Sequence, residues 1–231
     1  MTDLWKDDAD LFAQARRELF TAVVGDVMDK LGLRHQFLPA AIQPLERNMV
    51  TIGRAMTVLE ADFFEEAGVE SRNPVSGRPF GLMLDALDDL KSNEVYTCTG
   101  GTPRYALWGE LMSTRAIRCG AAGAVVDGYS RDTRGILKLG FPTFSHGSYA
   151  QDQGPRGKVV DYRVPIEMSG TRVEPGDLIF GDLDGVCVVP QAAEEAVFRE
   201  AFEKARGEKT VRNALEQGMT AREAFERFGI L

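Results

Sequence analysis

An arginine and an aspartate, Arg131 and Asp132, follow the apolar segment AAGAVVDG that ends at Gly128. Arginine can hold a carboxylate with two parallel hydrogen bonds, and the adjacent aspartate offers hard oxygen ligands to Mg²⁺ or Mn²⁺. Together they describe a site for an anionic, metal-chelating ligand. Taken alone, an Arg-Asp dipeptide is a weak signal, because most such pairs are solvated surface charges, so its surroundings must carry the interpretation.

A second candidate group lies upstream, in the sequence WGELM that begins at Trp108. Apolar spacing predicts a helix over about residues 107–119, so this group stands near a helix start. A helix start offers unpaired backbone N–H groups and the positive end of the helix dipole, which suits a carboxylate ligand. Gly109 has no side chain to block such a ligand. Glu110 also has a simpler interpretation, as a first-turn acid that interacts favourably with the dipole.

Four neighbouring residues each have a chemical and a structural interpretation. His146 follows a predicted strand and could assist proton transfer near neutral pH, but a histidine there is more often a structural hydrogen-bonding residue. Tyr129 could line a pocket or pack over a turn, and Asp127 could simply cap that turn. Cys119 lies in a predicted helix near a glycine, where core packing is favoured over nucleophilic catalysis.

Alternating strands and helices must position these residues. The pattern predicts strands over residues 51–59, 94–99, 122–127 and 142–145, and helices over 80–90, 107–119 and 131–140, the last two ended by Gly120 and Gly140. In α/β folds, ligands gather beyond the carboxyl ends of strands, which is where residues 127–132 would lie. The strand, turn and helix around Arg131 therefore suit a binding site.

The chain on either side is predicted to be helical at its two ends and rich in strands between them. Two short helices open the chain, with Thr21 as the N-cap of the second and Gly32 as its stop. Residues 65–79 are typical of a loop. Residues 158–190 predict several short strands, and the charged helical pattern from Gln191 is interrupted near Gly207 and Gly218.

Composition limits the function classes. The 231 residues carry a formal charge of −8, which repels nucleic-acid phosphate, so we expect no nucleic-acid partner. The three cysteines are odd in number and widely separated, which predicts neither a disulfide framework nor a thiolate metal cluster and favours a reducing cytoplasm. No apolar run has the length of a signal peptide or a bilayer span, so we expect a soluble protein without membrane association.

The length, with 44% hydrophobic residues, predicts one domain around one substantial core. We divide it into a helical N-terminal segment, residues 1–47, an α/β core, residues 48–190, and C-terminal helices, residues 191–231.

The stretch WGELMSTRAIRCGAAGAVVDGYSRD, residues 108–132, closely resembles the signature of the family that contains the 4-hydroxy-4-methyl-2-oxoglutarate aldolases and RraA, the regulator of ribonuclease activity A. Upstream, TAVVGDVMDKLG and TIGRAMTV resemble that family's opening helix and first strand. Downstream, LGFPTFSHG and PGDLIFGDLDGVCVVP also match. The resemblance covers roughly residues 21–197, and its central motif is the most specific part.

The resemblance implies a fold, an assembly and an activity. The fold would be an α/β/α sandwich like the swivelling phosphohistidine domain, with a helical C-terminal extension, assembled as homotrimers or hexamers with the site in a cleft between subunits. The activity would be that of a divalent-metal-dependent class II pyruvate aldolase, a carbon–carbon lyase. Such an enzyme cleaves a 4-hydroxy-2-oxo acid to pyruvate, and decarboxylation of oxaloacetate is an expected companion because it needs the same enolate.

The resemblance also implies roles for individual residues. Arg131 would bind the pyruvoyl carboxylate, Asp132 would be the direct protein ligand of Mg²⁺ or Mn²⁺, and Glu110 would order water near the metal. The substrate-binding residues would be Gly109, Glu110, Leu111, Met112 and Arg131. This sequence departs from the family pattern twice: glutamate stands at 110 where the characterised aldolases tend to have aspartate, and Thr133-Arg134-Gly135 replaces a usual nearby acid.

Two other functions compete with this hypothesis. RraA-like members share the scaffold, so the chain could be a regulatory protein that binds and inhibits a ribonuclease. Retention of Gly109, Glu110, Arg131 and Asp132 favours the enzyme, because a pure interaction surface has no need of them. A methyltransferase is disfavoured because a glycine-rich nucleotide loop is missing after the first predicted strand, which ends in TVLEADFF.

Overall fold

The chain folds into a mixed α/β structure, which the computed structural model describes for residues 4–63 and 71–229. The helices are α1 (Asp8–Glu18), α2 (Thr21–Lys30), α3 (Met83–Asp88), α4 (Glu110–Cys119), α5 (Thr133–Leu139), α6 (Glu194–Glu216) and α7 (Ala221–Phe228). The strands are β1 (Gln43–Pro44), β2 (Thr51–Asp62), β3 (Glu94–Thr99), β4 (Ala106–Trp108), β5 (Gly123–Val126), β6 (Tyr129–Ser130), β7 (Thr143–Ser145), β8 (Gly157–Tyr162), β9 (Ile166–Met168), β10 (Thr171–Val173), β11 (Leu178–Asp182) and β12 (Gly185–Val189). Short 3₁₀ turns lie at Pro74–Gly77 and Gln191–Ala193.

Eight strands form one sheet, in the order β1-β7-β5-β3-β2-β11-β12, with β8 paired to β2. The four central strands β2, β3, β5 and β7 are parallel, so their carboxyl ends meet at one edge. β1 also contacts β12, which brings the two ends of the sheet together into a nearly closed barrel. Strands β4 and β6 form a separate parallel pair at the carboxyl edge, and that pair carries the candidate site.

Side chains alternate between the two faces of this sheet, as the strand period requires. On β2, Ile52 and Met56 face the helices, whereas Ala55 faces the barrel interior. Helices α1, α2 and α6 cover one part of the outer face, and α3, α4 and α5 cover the other. The described members of the interior cluster come from strands and from the loop that holds Leu38 and Ile42, and none is helical. Instead of the second helical layer of the predicted α/β/α sandwich, the curved sheet encloses its own core.

Several predicted boundaries are confirmed, and others are wrong. Strand β3 and the glycine stops at Gly120 and Gly140 agree with the sequence analysis, and both glycines adopt left-handed backbone conformations, φ 78° and φ 64°. Thr21 is not an N-cap: it is the first residue of α2, and its backbone N–H and hydroxyl both donate to the buried carboxylate of Asp182. Helix α6 runs through Gly207 without interruption, because its first half packs in the core against α2.

A further error affects the site. The predicted helix from about Leu107 starts three residues too early, because residues 106–108 form strand β4 and α4 begins at Glu110. The predicted turn after Asp127 likewise contains strand β6, which pairs with β4. Residues 64–70 of the predicted loop over 65–79 lie outside the described residues. Within residues 4–63 and 71–229, no helix is both long and apolar enough to cross a bilayer.

Candidate active site

The pairing of β4 with β6 brings the two candidate groups together. The backbone N–H of Arg131 donates to the carbonyl of Trp108 at 2.8 Å, so the turn that leads into α5 lies beside the turn that leads into α4. Trp108 is buried and its indole Nε1–H donates to Ser113 Oγ at 2.8 Å, which fixes the α4 turn against the core. Two helix starts, which the sequence indicates separately at Gly109 and at Arg131, therefore lie side by side.

Asp132 has an unusual backbone for a residue with a side chain. Its φ of 55° and ψ of 31° lie in the left-handed region, where aspartate and asparagine are tolerated better than most residues. It occupies the N-cap position of α5 but its carboxylate makes no capping hydrogen bond. A Cβ at Gly109 would lie 3.1 Å from Asp132 Oδ2. Glycine at 109 therefore leaves the room in which the Asp132 carboxylate lies.

Arg131 is held by an acid that the sequence analysis did not identify. Its Nη1 lies 2.9 Å from Asp152 Oδ1, and its Nε lies 3.8 Å from Asp132 Oδ2. Asp152 comes from the loop between β7 and β8, so Arg131 is anchored from a distant part of the sequence. No local pattern in the sequence distinguishes Asp152, because its loop has no periodicity that ties it to the Arg-Asp pair.

The start of α4 presents free backbone donors next to these charges. The first helical hydrogen bond runs from the N–H of Ser113 to the carbonyl of Gly109, at 3.0 Å. The N–H groups of Glu110, Leu111 and Met112 therefore have no partner within the helix, and the N-cap Gly109 has no side chain to satisfy them. This arrangement can bind a carboxylate, with Arg131 adding a full positive charge.

The Glu110 side chain folds over α5. A Cβ at Gly135 would lie 2.3 Å from Glu110 Oε2, so the carboxyl of Glu110 rests against the glycine backbone. Glu110, Asp132, Thr133, Arg134, Gly135 and Lys138 line an open groove there, which we call the α5 groove. The two departures from the family pattern are thus connected: Gly135 provides the space that the longer side chain at 110 occupies.

On the other side of Asp132 lies a half-open depression of about 460 Å³, which we call the cleft. Arg131 and Asp132 lie in its wall, together with the backbone turn at Gly109. The remaining lining residues come from α3, β4, α4 and two loops: Phe80, Met83, Leu84, Leu87, Asp88, Ala106, Trp108, Leu111, Met112, Arg115, Asp152 and Gln153. The size is that of a small-molecule site.

The oxygen donors of Asp132 are of the type that a divalent cation binds. The carboxylate is half exposed and is not used as a helix cap, so its oxygens are available to a hard cation such as Mg²⁺ or Mn²⁺. Glu110 lines the α5 groove beside it. No group of three or more histidine, cysteine or acidic residues suited to a metal occurs in residues 4–63 and 71–229.

Asp127, Tyr129 and His146 form a separate cluster. The Asp127 carboxylate lies 3.1 Å from His146 Nε2 and accepts a hydrogen bond from Ser169, at the tip of the β9–β10 hairpin. The ring of Tyr129 contacts His146 edge to face, 5.9 Å between centroids. Of the described residues that line the cleft, none belongs to this cluster. The contacts of this cluster favour the structural interpretation of His146. Cys119 lies elsewhere and packs beside α3, with its Sγ 3.7 Å from the Leu87 carbonyl.

Behind the cleft lies a buried acid, Glu60, near the end of strand β2 and beyond the predicted strand over residues 51–59. The side chain of Glu60 is 2% exposed, and this burial raises its pKa to about 8. Gln153 Nε2 donates to Glu60 Oε1 at 2.8 Å, and Gln153 also lines the cleft. Glu60 therefore holds a residue of the cleft wall in place.

Replacing Glu60 with glutamine should change how stability depends on pH. Between the ordinary pKa of 4.5 and about 8, the folded chain holds a proton that the unfolded chain has lost. Stability of the wild type must therefore fall as pH rises through this window, by on the order of a few kcal/mol. Glu60→Gln stays neutral and should lose that part of the dependence. Urea unfolding of both proteins at about pH 5 and about pH 8 measures the difference. If the free energy of unfolding falls equally with pH in both proteins, Glu60 is not a buried neutral acid in the folded chain.

Comparison with known proteins identifies the family. The RraA-like family model, Aldolase/RraA, matches residues 21–188. A putative 4-hydroxy-4-methyl-2-oxoglutarate aldolase of Halalkalibacterium halodurans is 32% identical over 209 residues, 90% of each chain. An uncharacterised protein of Pseudomonas syringae has a similar structure, with a TM-score of 0.78, 26% identity and coverage of 94% of this chain and 96% of that one.

The fold is also shared with RraAS2 of Streptomyces coelicolor, described as an unusual member of the RNase ES inhibitor RraA protein family. That structure has a TM-score of 0.75, 23% identity and coverage of 90% of this chain and 98% of that one. The match of the family model over most of the sequence confirms the resemblance seen in residues 108–132. The chain belongs to the RraA-like, Aldolase/RraA, family.

Proposed function

We propose that this protein is a divalent-metal-dependent class II pyruvate aldolase, which cleaves a 4-hydroxy-2-oxo acid such as 4-hydroxy-4-methyl-2-oxoglutarate to pyruvate. The observation that carries the proposal is the convergence of three features on one cleft. These are the guanidinium of Arg131, the uncapped start of α4 and the unengaged carboxylate of Asp132. A carboxylate next to an oxo group is the ligand that needs all three.

Arg131 and the α4 turn would bind and orient the substrate. Asp152 holds one edge of the guanidinium through Nη1, so the group is fixed before the substrate arrives. The substrate carboxylate would take hydrogen bonds from Arg131 and from the free N–H groups of Glu110, Leu111 and Met112. These donors also stabilise the negative charge that spreads over the pyruvate enolate as the C3–C4 bond breaks.

Asp132 would hold the cation, Mg²⁺ or Mn²⁺. When bound, such a cation supplies a Lewis acid that stabilises negative charge on the 2-oxo oxygen. The C4 hydroxyl loses its proton, the C3–C4 electron pair moves into the enolate, and C4 leaves as a carbonyl. A proton then returns to C3 to give pyruvate. Glu110 would order the water that moves these protons, and oxaloacetate would lose carbon dioxide through the same enolate.

The role of Glu110 can be tested through Gly135. Alanine favours a helix interior over glycine by roughly 1 kcal/mol, so Gly135→Ala should leave α5 as stable or more stable. Its Cβ would displace the Glu110 carboxyl, so we expect pyruvate release to fall by about tenfold. Glu110→Gln should cause a similar loss, and the double variant should lose little more. Kinetics measure the activity of each variant, and thermal unfolding measures its stability. If the two substitutions lower pyruvate release additively, Gly135 does not act through Glu110.

We also infer that the protein assembles as a homotrimer or a hexamer of stacked trimers, acts in the cytoplasm and has a core related to the swivelling phosphohistidine domain. The family membership supports these inferences. Light scattering that gives the mass of a monomer, 25.4 kDa, at working concentration would contradict the assembly.

The RraA-like regulatory function is the second candidate, because the Streptomyces coelicolor structure shares the fold. Below 25% identity that likeness supports the scaffold alone. An inhibitor of a ribonuclease would act by protein contact and would not need a small-molecule site.

The deciding experiment is a screen of 4-hydroxy-2-oxo acids and oxaloacetate for pyruvate release, with Mg²⁺, with Mn²⁺ and with chelator. We expect release that chelation abolishes and added metal restores. No release from any substrate, combined with inhibition of a ribonuclease by the purified protein, would replace the proposed enzyme with the regulator.

A further inference from the structure

The cleft beside Arg131 is mostly apolar, which is unexpected for an enzyme whose substrate carries a carboxylate at both ends. Phe80, Met83 and Leu84 line it from the α3 side, and Leu111 and Met112 line it from α4. Leu111 is 82% exposed and Leu84 is 53% exposed. These large apolar side chains are exposed to water in a concave surface. Covering them with an apolar group is therefore favourable, because it removes apolar surface from water.

The charged residues that line the cleft also disfavour a second carboxylate on the substrate. Among the described residues of this chain that line the cleft, the two cations are Arg131 and Arg115, and both are paired: Arg131 with Asp152, and Arg115 with Asp88 at 2.7 Å. Three carboxylates line the cleft against these two arginines. Once Arg131 engages the carboxylate next to the oxo group, no unpaired cation among the described lining residues remains for a second carboxylate.

An alternative location for a second carboxylate exists on the other side of Asp132. The α5 groove contains two cations, Arg134 and Lys138. Arg131, however, lines the cleft and not this groove. A substrate whose first carboxylate is held by Arg131 therefore lies in the cleft, and its remainder meets the apolar wall.

We propose that the preferred substrate is a 4-hydroxy-2-oxo acid whose C4 substituent is an uncharged alkyl or aryl group, seated against Leu84 and the neighbouring apolar side chains, and not the dicarboxylate 4-hydroxy-4-methyl-2-oxoglutarate. This inference rests on the proposed function and names its substrate class. Cleavage of the C3–C4 bond gives pyruvate and an apolar aldehyde or ketone, with the C4 hydroxyl proton balanced by the proton added at C3.

The test uses three ligands that bind but are not cleaved, measured by calorimetry with Mg²⁺ present. Oxalate has no tail, 4-methyl-2-oxopentanoate has a branched alkyl tail, and 2-oxoglutarate ends in a second carboxylate. We expect the full-length protein to bind 4-methyl-2-oxopentanoate about 10- to 100-fold more tightly than 2-oxoglutarate, which corresponds to burial of one leucine-sized group.

Leu84→Lys places a cation in the apolar wall on an exposed helix position, where lysine is well tolerated. The ratio of the two affinities should reverse in favour of 2-oxoglutarate. Leu183→Lys makes the same change in the exposed turn between β11 and β12 and should leave the ratio as in the wild type.

Each contrary result has a distinct meaning. If oxalate fails to bind in the presence of Mg²⁺, the proposed function fails and this inference falls with it. If oxalate binds but 2-oxoglutarate binds better than 4-methyl-2-oxopentanoate, only the substrate class is overturned, and loss of that binding in Lys138→Gln would place the second carboxylate in the α5 groove. If Leu84→Lys changes the oligomeric mass but not the affinity ratio, the apolar wall is an interface between copies, which also overturns the inference.

Discussion

Replacing Asp132 with alanine is expected to abolish metal binding and to lower pyruvate release by at least about a thousandfold. The Asp132 carboxylate makes no capping hydrogen bond and no close ion pair, since its contact with Arg131 Nε is 3.8 Å. In the proposed mechanism Asp132 is the direct protein ligand of the cation, so its replacement would remove that ligand. Mn²⁺ binding by calorimetry and pyruvate release by a coupled assay measure the two effects.

The backbone at Asp132 requires a second variant. Alanine tolerates the left-handed conformation poorly, so Asp132→Ala could lose stability through its backbone alone. Asparagine is favoured in that conformation and removes the charge, so Asp132→Asn should stay folded and still lose metal affinity. Asp184→Ala, in the exposed β11–β12 turn, is the matched control. Normal Mn²⁺ affinity in folded Asp132→Asn would remove Asp132 from the metal site.

Arg131→Lys is expected to lower turnover by about 100- to 1,000-fold and to weaken substrate binding, while Mn²⁺ binding is retained. Lysine keeps the positive charge but loses the planar group that can hold Asp152 on one edge and a carboxylate on another. Because the same group would face the developing enolate in the proposed mechanism, the loss should appear in kcat as well as in KM.

The control for this variant is Arg118→Lys, which makes the same change on the exposed face of α4. It should leave both kinetic parameters near those of the wild type. If Arg131→Lys is folded and matches Arg118→Lys in turnover, the guanidinium geometry is irrelevant and Arg131 is a surface residue.

The sequence predicts the centre of the candidate site because the residues that form it lie in short local patterns. An Arg-Asp pair between a strand and a helix, and a glycine at another helix start, are short-range patterns, and the structure brings Gly109 to the side of Asp132. Asp152 and Glu60 could not be found in this way. Asp152 reaches Arg131 from a distant loop. Glu60 lies within a strand, and its raised pKa depends on burial that only the tertiary fold provides.

The errors in the predicted elements have similar causes. Residues 106–108 are apolar and suit a helix or a strand equally well, and only their pairing with β6, more than twenty residues later, makes them a strand. Gly207 is disfavoured in a helix, yet α6 continues through it because tertiary packing outweighs local propensity. Closure of the sheet depends on contact between β1 and β12, the most distant strands in its order, and no local pattern encodes it.

The exchange of the pyruvate methyl protons for deuterium, followed by NMR in D₂O, tests the central claim most directly, because it needs only pyruvate and the formation of its enolate. With Mg²⁺, the wild-type protein should exchange these protons rapidly, chelation should stop the exchange, and Asp132→Asn and Arg131→Lys should each reduce it by about 100-fold or more. Exchange no faster than in buffer, or exchange that persists in both variants, would show that Arg131 and Asp132 do not form a metal-dependent enolate site.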